Sequence, residues 1–396
     1  MMFATGFRGP ILTSRSMGKC VPYLLALFFC IAGTAFPTSP APENKEGNDP
    51  LDLLHSPALT SDRAASSTLM DGCSIDNRLI LVGERGYILY SDDSGQTWTQ
   101  ARVPVSVTLT AVAFPSWQRG WAVGHDGVIL CSQDGGLTWE KQLDGNDINR
   151  LMMAKLEPLI QENENRLARA DEKQRGEIQG NLENLAYFLD DVKMAVAEGP
   201  TRPLMDVWFK NEREGFAIGA FGILLRTTDG GKSWVSLLDR IDNPDGFHYY
   251  GICRSGDALF IAGEAGMLFR SDDWGQTWIR LASPYEGSFF GIAGSDDGSA
   301  VAAFGLRGSL FLSYDGGNTW NRADHGRKAS ISAGTFISDD RLVLVCVDGS
   351  ILLSRDKGRT FTALAQRFPG STSVSESNDH HIIVTGLRGV MRFARQ

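Results

Sequence analysis

Cysteine is scarce in this sequence, and the few cysteines do not form a metal-binding pattern. There are six among 396 residues. Two lie in an apolar N-terminal run and four in separate strand-like segments: Cys20, Cys30, Cys73, Cys131, Cys253 and Cys346. Because a zinc site needs closely spaced ligands, this spacing predicts no metal cofactor. We expect buried, unpaired thiols, with one disulfide as the alternative in an oxidising compartment.

Positive charge is also in deficit. The sequence has 38 Lys and Arg residues against 47 Asp and Glu, a net charge of −9. Broad nucleic-acid binding normally needs a basic surface, so we expect no nucleic-acid partner. Ser–His–Asp and phosphate-loop signatures are absent as well, and the sequence predicts neither an enzyme nor a small-molecule substrate.

The N-terminus has the pattern of an export signal. Basic residues precede an apolar run at 21–36, in which Gly33 and Ala35 have the spacing of a signal-peptidase site. We therefore expect a signal peptide at 1–35, a flexible linker at 36–56, and export to the periplasm, or to the lumen in a photosynthetic source. The alternative is an uncleaved anchor, since about 20 apolar residues are usual for a membrane span.

One eight-residue phrase recurs six times, first as SDDSGQTW at 91–98. Its final aromatic residues stand at positions 98, 139, 234, 278, 320 and 361, with spacings of 41, 95, 44, 42 and 41. A period of about 42 residues is typical of one four-stranded propeller blade, and the spacing of 95 is one period plus an insertion.

The phrase resembles the Asp-box, the S-x-D-x-G-x-T-W turn of sialidases, sortilins and related propellers. We expect its Asp to accept hydrogen bonds from turn amides, its Gly to supply positive φ, and its aromatic residue to pack between blades. One carboxylate per turn is too few for calcium, so the motif is interpreted as structural. Its key residues are Asp93, Asp134, Asp229, Asp273, Asp315 and Asp356, with Trp98, Trp139, Trp234, Trp278, Trp320 and Phe361.

A second repeat indicates the number of blades. A four-residue G-x-x-G turn, with Cys in place of the first Gly once, lies between apolar strands seven times, at 83–86, 124–127, 219–222, 263–266, 305–308, 346–349 and 386–389. Seven such hairpins predict an all-β, seven-bladed β-propeller over 57–396. The last blade ends after its third strand. We expect the segment 57–65 to supply the fourth, with a three-stranded last blade as the alternative.

An insertion at 146–200 interrupts the repeat between blades two and three. Two apolar stripes at helical spacing predict a helical hairpin, with its turn within 169–180 and a kink or a second helix start at Pro158. The stripes are Ile148, Leu151, Met152, Leu156, Leu159, Ile160 and Leu167, then Ile178, Leu182, Leu185, Leu189, Val192 and Val196. Either the stripes pack only on each other, or the exposed remainder clasps a partner helix.

Loops alternate between the two faces of an up-and-down blade, so the hairpin and all seven turns should share one face, opposite the Asp-boxes. We expect function on that face. The candidate partner-binding residues at the turn tips are Arg85, Arg307, Arg388, Glu84, His125, Asp126, Phe221 and Glu264. The three arginines would anchor carboxylates of a partner. The alternative is that turn tips are charged because they are solvated.

A glycoside hydrolase is the main rival interpretation. Resemblance to sialidases implies an arginine triad, a Tyr–Glu nucleophile pair and an Arg-Ile-Pro strand, and the sequence contains no Arg-Ile-Pro. Asp126, Glu264 and Asp348 come from different blades and could converge, and His125 beside Asp126 is a weak hint of acid–base chemistry. A propeller that binds carbohydrate without catalysis is a third possibility.

A closer resemblance is to the photosystem II stability and assembly factor family. It rests on the V-G-x-x-G turns followed by Asp-boxes and on the phrases GWAVG at 120–124 and GFAIG at 215–219. The resemblance implies a non-catalytic scaffold with an arginine patch, acting on photosystem assembly in the thylakoid lumen. Similar bacterial proteins are encoded beside resistance–nodulation–division transporters, and the helical insertion fits that branch better. The expected partner is an integral membrane protein complex, and the expected state is a monomer.

Overall fold

The computed structural model of the protein describes residues 52–394. The predicted signal peptide and the linker up to residue 51 lie outside the described residues. Among the described helices, none combines the length and the apolar character needed to cross a bilayer.

Within the described part of the chain, seven antiparallel sheets follow one another, and each is a blade of consecutive strands. Blade one comprises β1 (Leu69–Ile75), β2 (Arg78–Gly83), β3 (Ile88–Ser91) and β4 (Thr99–Gln100). Blade two comprises β5 (Leu109–Ala113), β6 (Gly120–Gly124), β7 (Ile129–Ser132) and β8 (Glu140–Leu143). Blade three comprises β9 (Leu204–Phe209), β10 (Gly215–Gly219), β11 (Leu224–Thr227) and β12 (Val235–Ser236). Blade four comprises β13 (Tyr249–Ser255), β14 (Ala258–Gly263), β15 (Leu268–Ser271) and β16 (Ile279–Arg280), and blade five comprises β17 (Phe289–Gly294), β18 (Val301–Gly305), β19 (Leu310–Ser313) and β20 (Asn321–Arg322). Blade six comprises β21 (Ile331–Ile337), β22 (Arg341–Cys346), β23 (Ser350–Ser354) and β24 (Thr362–Arg367). Blade seven comprises β25 (Ser371–Glu376), β26 (His381–Gly386) and β27 (Gly389–Ala394).

The blades close into a ring, because the first strand of blade seven contacts the first strand of blade one. Thr372 Oγ1 donates to Leu69 O at 2.6 Å, and Ser373 Oγ donates to Asp71 Oδ1 at 2.7 Å. The seven-bladed propeller predicted from the repeats is therefore confirmed.

The core lies between the blades. Every residue of β2, β6, β10 and β18 is buried, because both faces of these second strands pack against neighbouring sheets. The polar–apolar alternation of a half-exposed strand is consequently missing there, and short unbroken apolar runs such as LILV at 79–82 take its place.

The prediction that 57–65 completes blade seven is wrong. Within residues 52–394 blade seven has three strands, and Ala64–Ser66 forms a 3-10 turn beside Gly389, at the start of β27. Two backbone N–H groups here bond within the segment, from Ala64 to Ser61 O at 3.1 Å and from Ser66 to Arg63 O at 2.9 Å. Donors satisfied locally cannot form a ladder with β27. The three-stranded alternative is the observed one.

The helical hairpin lies between blades two and three as predicted, with α1 at Gly145–Arg169 and α2 at Glu172–Glu198. Asp144 caps α1 in a capping box with Asp147. No second helix begins at Pro158, because α1 continues through it. The proline removes the hydrogen bond to the carbonyl of Ala154, and both residues are exposed, so water can satisfy that carbonyl.

The apolar stripe of α2 ends one residue earlier than predicted. Val196 is 51% exposed, whereas Ala195 is buried. Val192 and Ala195 lie three residues apart on one face of the helix, so the buried face at the end of α2 continues through Ala195 and leaves Val196 outside it.

The base of the hairpin packs on the propeller as well as on itself. Met152 and Val192 share a buried cluster with Leu143 of blade two and Leu204 of blade three. Lys155 also forms an ion pair with Asp239 at 2.7 Å. The prediction of purely mutual packing therefore fails at the base, which is fixed to the ring.

Candidate functional site

The Asp-boxes are structural turns. In the first of them, Thr97 donates to Asp93 from its backbone N–H (2.8 Å) and its hydroxyl (2.6 Å), and Ser91 Oγ donates to the same carboxylate at 2.7 Å. The same bonds recur around Asp134, Asp229, Asp273, Asp315 and Asp356. In the third box, the Ser233 hydroxyl and then its backbone N–H lower the pKa of Asp229 to about 2. Both oxygens of each carboxylate accept hydrogen bonds within the turn, so neither is directed towards a ligand.

The aromatic residues of the boxes pack between blades. Trp139, Trp234 and Trp278 are buried, and Trp98, Trp320 and Phe361 are half-buried. Trp278 meets Phe216 of the preceding blade edge-on, with ring centroids 6.1 Å apart. Their predicted structural role agrees with this placement.

Arginines on the Asp-box face join four of the blades to the blade that follows. In four blades an arginine donates to the carbonyl at the fourth position of the following blade's Asp-box, which has positive φ. The pairs are Arg78 to Gly135 (2.8 Å), Arg119 to Gly230 (2.9 Å), Arg270 to Gly316 (2.7 Å) and Arg392 to Ser94 (2.7 Å). These four guanidinium groups are therefore structural.

The hairpin and the seven turns share one face, as predicted. A Cβ on Gly127, in the blade-two turn, would lie 2.7 Å from Gly145 Cα at the start of α1. Arg202, directly after α2, lies 4.8 Å over the ring of Phe221 in the blade-three turn. We call this side the turn face.

Five turns have one conformation and the last two another. The third residue of the first five turns has a left-handed backbone, with φ between 51° and 58°: Arg85, Asp126, Phe221, Ala265 and Arg307. In blades six and seven the third residue is not left-handed, and positive φ occurs only at the fourth residue of the turn, Gly349 and Gly389. Left-handed φ at non-glycine residues costs free energy, so the surrounding structure must hold these five turns in their conformation.

The acidic turn residues are engaged by neighbouring backbone. Glu84 accepts from Thr68 N at 3.1 Å, and Glu264 accepts from His248 N at 3.2 Å. In blade six, Asp348 accepts from Ser350 N at 2.9 Å and pairs with Arg367 at 3.2 Å. These carboxylates order the turns and the strand entries, and no two of them share a hydrogen-bonding partner.

The predicted arginines behave differently. Arg85, Arg307 and Arg388 are exposed, and within residues 52–394 none of their side chains forms a hydrogen bond or an ion pair. Blades seven and one are neighbours, so Arg388 and Arg85 lie on adjacent turns. Their charges are available to a partner.

Sequence reasoning missed further cations on the same side. Arg327 and Lys328 are exposed in the connection from blade five to blade six, and a Cβ on Gly308 would lie 2.8 Å from Arg327 O. They could have been found, because a connection to the next blade lies on the face of the G-x-x-G turns. We define the basic sector as Arg85, Arg307, Arg327, Lys328, Arg367 and Arg388.

His125 and Asp126 lie where α1 meets the blade-two turn. Both are half-buried, and burial lowers the pKa of His125 and raises that of Asp126. The structure therefore places these two candidates under the hairpin base and away from the open rim.

Phe221 is 39% exposed at the foot of the hairpin. Its backbone N–H donates to His248 Nδ1 at 3.0 Å, and the two rings lie 4.9 Å apart. Phe221 thus offers apolar surface beside the charged rim.

The four cysteines of the described part are unpaired, and Cys131 and Cys346 are buried. No cluster of three or more His, Cys, Asp or Glu side chains within residues 52–394 could hold a metal ion.

Comparison with known proteins identifies the family. The sequence model of the photosynthesis system II assembly factor YCF48 matches residues 90–162 and 189–323, which is more than half of the chain. The chain belongs to the YCF48 family. The resemblance drawn from the Asp-boxes and turns is confirmed, and no curated protein matches the chain.

Solved structures show the same fold. YCF48 bound to D1 peptide is 18% identical with a TM-score of 0.57, covering 84% of this chain and 95% of that one. YCF48 from Cyanidioschyzon merolae is 16% identical with a TM-score of 0.57, covering 83% and 96%. The WD40 propeller of Doa1 is 11% identical with a TM-score of 0.57, covering 86% and 95%.

The family match omits the outer part of the hairpin. Residues 163–188 fall between its two matched segments. They comprise the end of α1, the tip and the first half of α2. This chain therefore carries a helical extension that the YCF48 family model leaves out.

Proposed function

We propose that the protein is an exported, non-catalytic scaffold whose turn face docks onto the exported part of an integral membrane protein complex. The observation that carries this proposal is the basic sector on a chain of net charge −9. Within residues 52–394, the side chains of Arg85, Arg307 and Arg388 form no hydrogen bond or ion pair. On the opposite face, four arginines instead form hydrogen bonds between neighbouring blades.

Arginine suits this task because its planar guanidinium pairs with a carboxylate through two parallel hydrogen bonds. A rigid ring holds the arginines in place, so little side-chain and loop order is lost on docking. Rim charges also steer the encounter, which makes the association rate sensitive to salt.

The hairpin would supply a second contact. A cleft of about 680 Å³ lies near its tip, with Pro158 and Ile178 among apolar lining residues and Arg166, Arg169 and Glu177 among charged ones. Because the family model omits this region, we propose that it recognises a partner specific to the transporter-associated branch. The partner in our proposal is a resistance–nodulation–division transporter in the periplasm.

Photosystem II in the thylakoid lumen is the alternative partner for a photosynthetic source, and the solved relative bound to D1 peptide supports that version. In both versions the chain acts as a monomer and needs no cofactor. Both require the same docking face.

A glycosidase is disfavoured because its candidate carboxylates have other partners. Glu264 is bonded to His248 N and Asp348 to Ser350 N and Arg367, whereas catalysis needs two carboxyl groups aimed at one glycosidic bond. Membership of a family of assembly factors favours the scaffold as well.

Charge reversal tests the proposal. We expect the double variant Arg85→Glu/Arg388→Glu to lose co-purification with the membrane complex at unchanged thermal stability. The matched control is Arg213→Glu/Lys232→Glu, which makes the same charge change at exposed positions of the Asp-box face. Unaffected co-purification of the first variant, or equal loss in both, would contradict the proposal.

A further inference from the structure

The central channel opens on the turn face between the first strands of the blades. Each first strand begins opposite the end of its second strand, directly before the turn: Leu69 pairs with Gly83, Tyr249 with Gly263 and Phe289 with Gly305. The next residue of each first strand therefore lies at the channel mouth.

The polar residues at this level are already satisfied. Thr110 Oγ1 donates to Leu204 O of the next blade at 2.8 Å, and Ser332 Oγ donates to Val345 O at 3.2 Å. Thr372 Oγ1 is bonded to Leu69 O in the same way. These hydroxyls tie strands together and are not offered to a ligand.

The remaining residues at this level are apolar or aromatic. Met70, Met205, Tyr250 and Phe290 are all partly exposed, although they lie on the innermost strands. The rings of Tyr250 and Phe290 meet edge-on at 6.1 Å. The Tyr250 hydroxyl has no hydrogen-bonding partner within residues 52–394, and burial raises its pKa, so it remains a neutral donor. We define these four residues as the channel mouth.

An aromatic path connects the mouth to the hairpin. His248 lies between Phe221 and Tyr250, with ring centroids 4.9 Å and 6.1 Å away. The path runs from the hairpin base over blade four to Phe290 on blade five. Arg307 follows in the turn of that blade, so the path ends beside the basic sector.

The channel below the mouth is acidic. Asp71 accepts from Val112 N at 3.0 Å, and Asp206 accepts from Ile252 N at 2.8 Å, each across a blade boundary. These buried carboxyl groups offer an incoming anion no positive charge, while the arginines of the rim attract one. The site therefore favours one orientation of a bound ligand, in which the apolar group points into the channel and the carboxylates lie at the rim.

We propose that the channel mouth and the path from Phe221 bind an extended partner segment in which an aromatic or long aliphatic side chain is flanked by Asp or Glu. The apolar side chain enters the mouth, Tyr250 donates to a backbone carbonyl of the segment, and the acidic residues pair with Arg85, Arg307 and Arg388. This inference rests on the proposed docking function and names the kind of segment that the docking face recognises.

Three fluorescein-labelled dodecapeptides test it by anisotropy with the chain. The first has one Phe between two pairs of Glu in a Gly–Ser background, the second has Ser for the Phe, and the third has Gln for every Glu. We expect Phe→Ser to weaken binding at least tenfold, because the apolar area that the Phe side chain buries in the mouth is lost. The Gln peptide should bind weakly and without salt dependence.

A variant with a charged side chain in the channel mouth, compared with the same substitution elsewhere, tests whether the mouth is the binding site. Met205→Glu should abolish the difference between the Phe and Ser peptides, while Met194→Glu, at a residue of α2 that is 60% exposed, should preserve it. Tyr250→Phe should weaken the binding of all three peptides by a similar factor. Thermal melting checks that each variant is folded.

Equal binding of the Phe and Ser peptides, or a difference that survives Met205→Glu, would overturn the inference. Failure of all three peptides to bind at millimolar concentration would overturn it too. If Arg85→Glu/Arg388→Glu abolishes co-purification while Met205→Glu leaves it intact, the docking face stands and only the mouth is excluded.

Discussion

Arg392 Nε donates to the carbonyl oxygen of Ser94 at 2.7 Å, which joins the last strand of the chain to the first Asp-box. Arg392 also pairs with Asp379 of its own blade at 2.6 Å. Since residues 57–65 supply no strand to blade seven, side-chain bonds of this kind contribute to ring closure. Arg78, Arg119 and Arg270 make the equivalent bond elsewhere in the ring.

Arg392→Met should lower the free energy of unfolding by about 1–3 kcal/mol, because it leaves a carbonyl and a carboxylate without their donor. Urea unfolding would measure the loss. The control is Arg388→Met, an exposed and unpaired position where we expect a change within about 0.5 kcal/mol. Equal effects of the two substitutions would contradict a closing role for Arg392.

The Asp-boxes should make the ring sensitive to acid. The pKa of Asp229 is lowered to about 2 in the folded chain, from an ordinary value of 3.8. A depressed pKa contributes stability above pH 4, which is lost as the pH falls towards 2. Asp229→Asn should therefore show a smaller drop in urea midpoint between pH 5 and pH 2.5 than the unaltered chain. An identical drop would count against this role.

Asp206 should destabilise the folded chain as the pH rises, whereas the Asp-box carboxylates lose their stabilising effect as the pH falls. Burial in the channel raises its pKa to about 7, with the nearby Asp71 carboxylate adding to the effect. The folded state then holds a proton that the unfolded state releases, so stability falls as the pH rises from 4 to 7. We expect Asp206→Asn to melt at a higher temperature than the unaltered chain at pH 8 and at a similar one at pH 4. A variant that is less stable at pH 8 would refute this.

The outer hairpin should be dispensable for the ring. Replacing residues 160–181 by a short Gly–Ser turn removes the tip but keeps Met152, Leu156, Phe188 and Val192, which pack on the blades. We expect an unchanged melting temperature and reduced co-purification with the membrane complex. Circular dichroism and pull-down measure the two effects separately, and full retention of the complex would exclude the tip from docking.

Much of the architecture could be predicted from the repeats, because each turn has a local chemical requirement that appears in the sequence. Gly95 and its equivalents need positive φ, and Asp93 and its equivalents cap the turn amides, so the six Asp-boxes mark six blades. The seven G-x-x-G turns give the full number of blades. The face shared by the hairpin and the turns followed from strand alternation alone.

Other features depend on contacts that no local pattern reports. Arg78 reaches Gly135 across 57 residues and Arg392 reaches Ser94 across 298. Such bonds depend on the register between blades. The 3-10 turn at Ala64–Ser66 forms because its amides find acceptors within the segment, which the ring-closure argument could not detect. The channel mouth likewise emerges only when strands far apart in sequence converge.

Photo-crosslinking in intact cells tests the central claim most directly. A photoreactive amino acid would replace Arg85, Arg388 or, on the opposite face, Arg213. We predict crosslinks from positions 85 and 388 to an integral membrane protein of one complex, identified by mass spectrometry, and none to that protein from position 213. Crosslinks to the complex from position 213 alone would contradict the account.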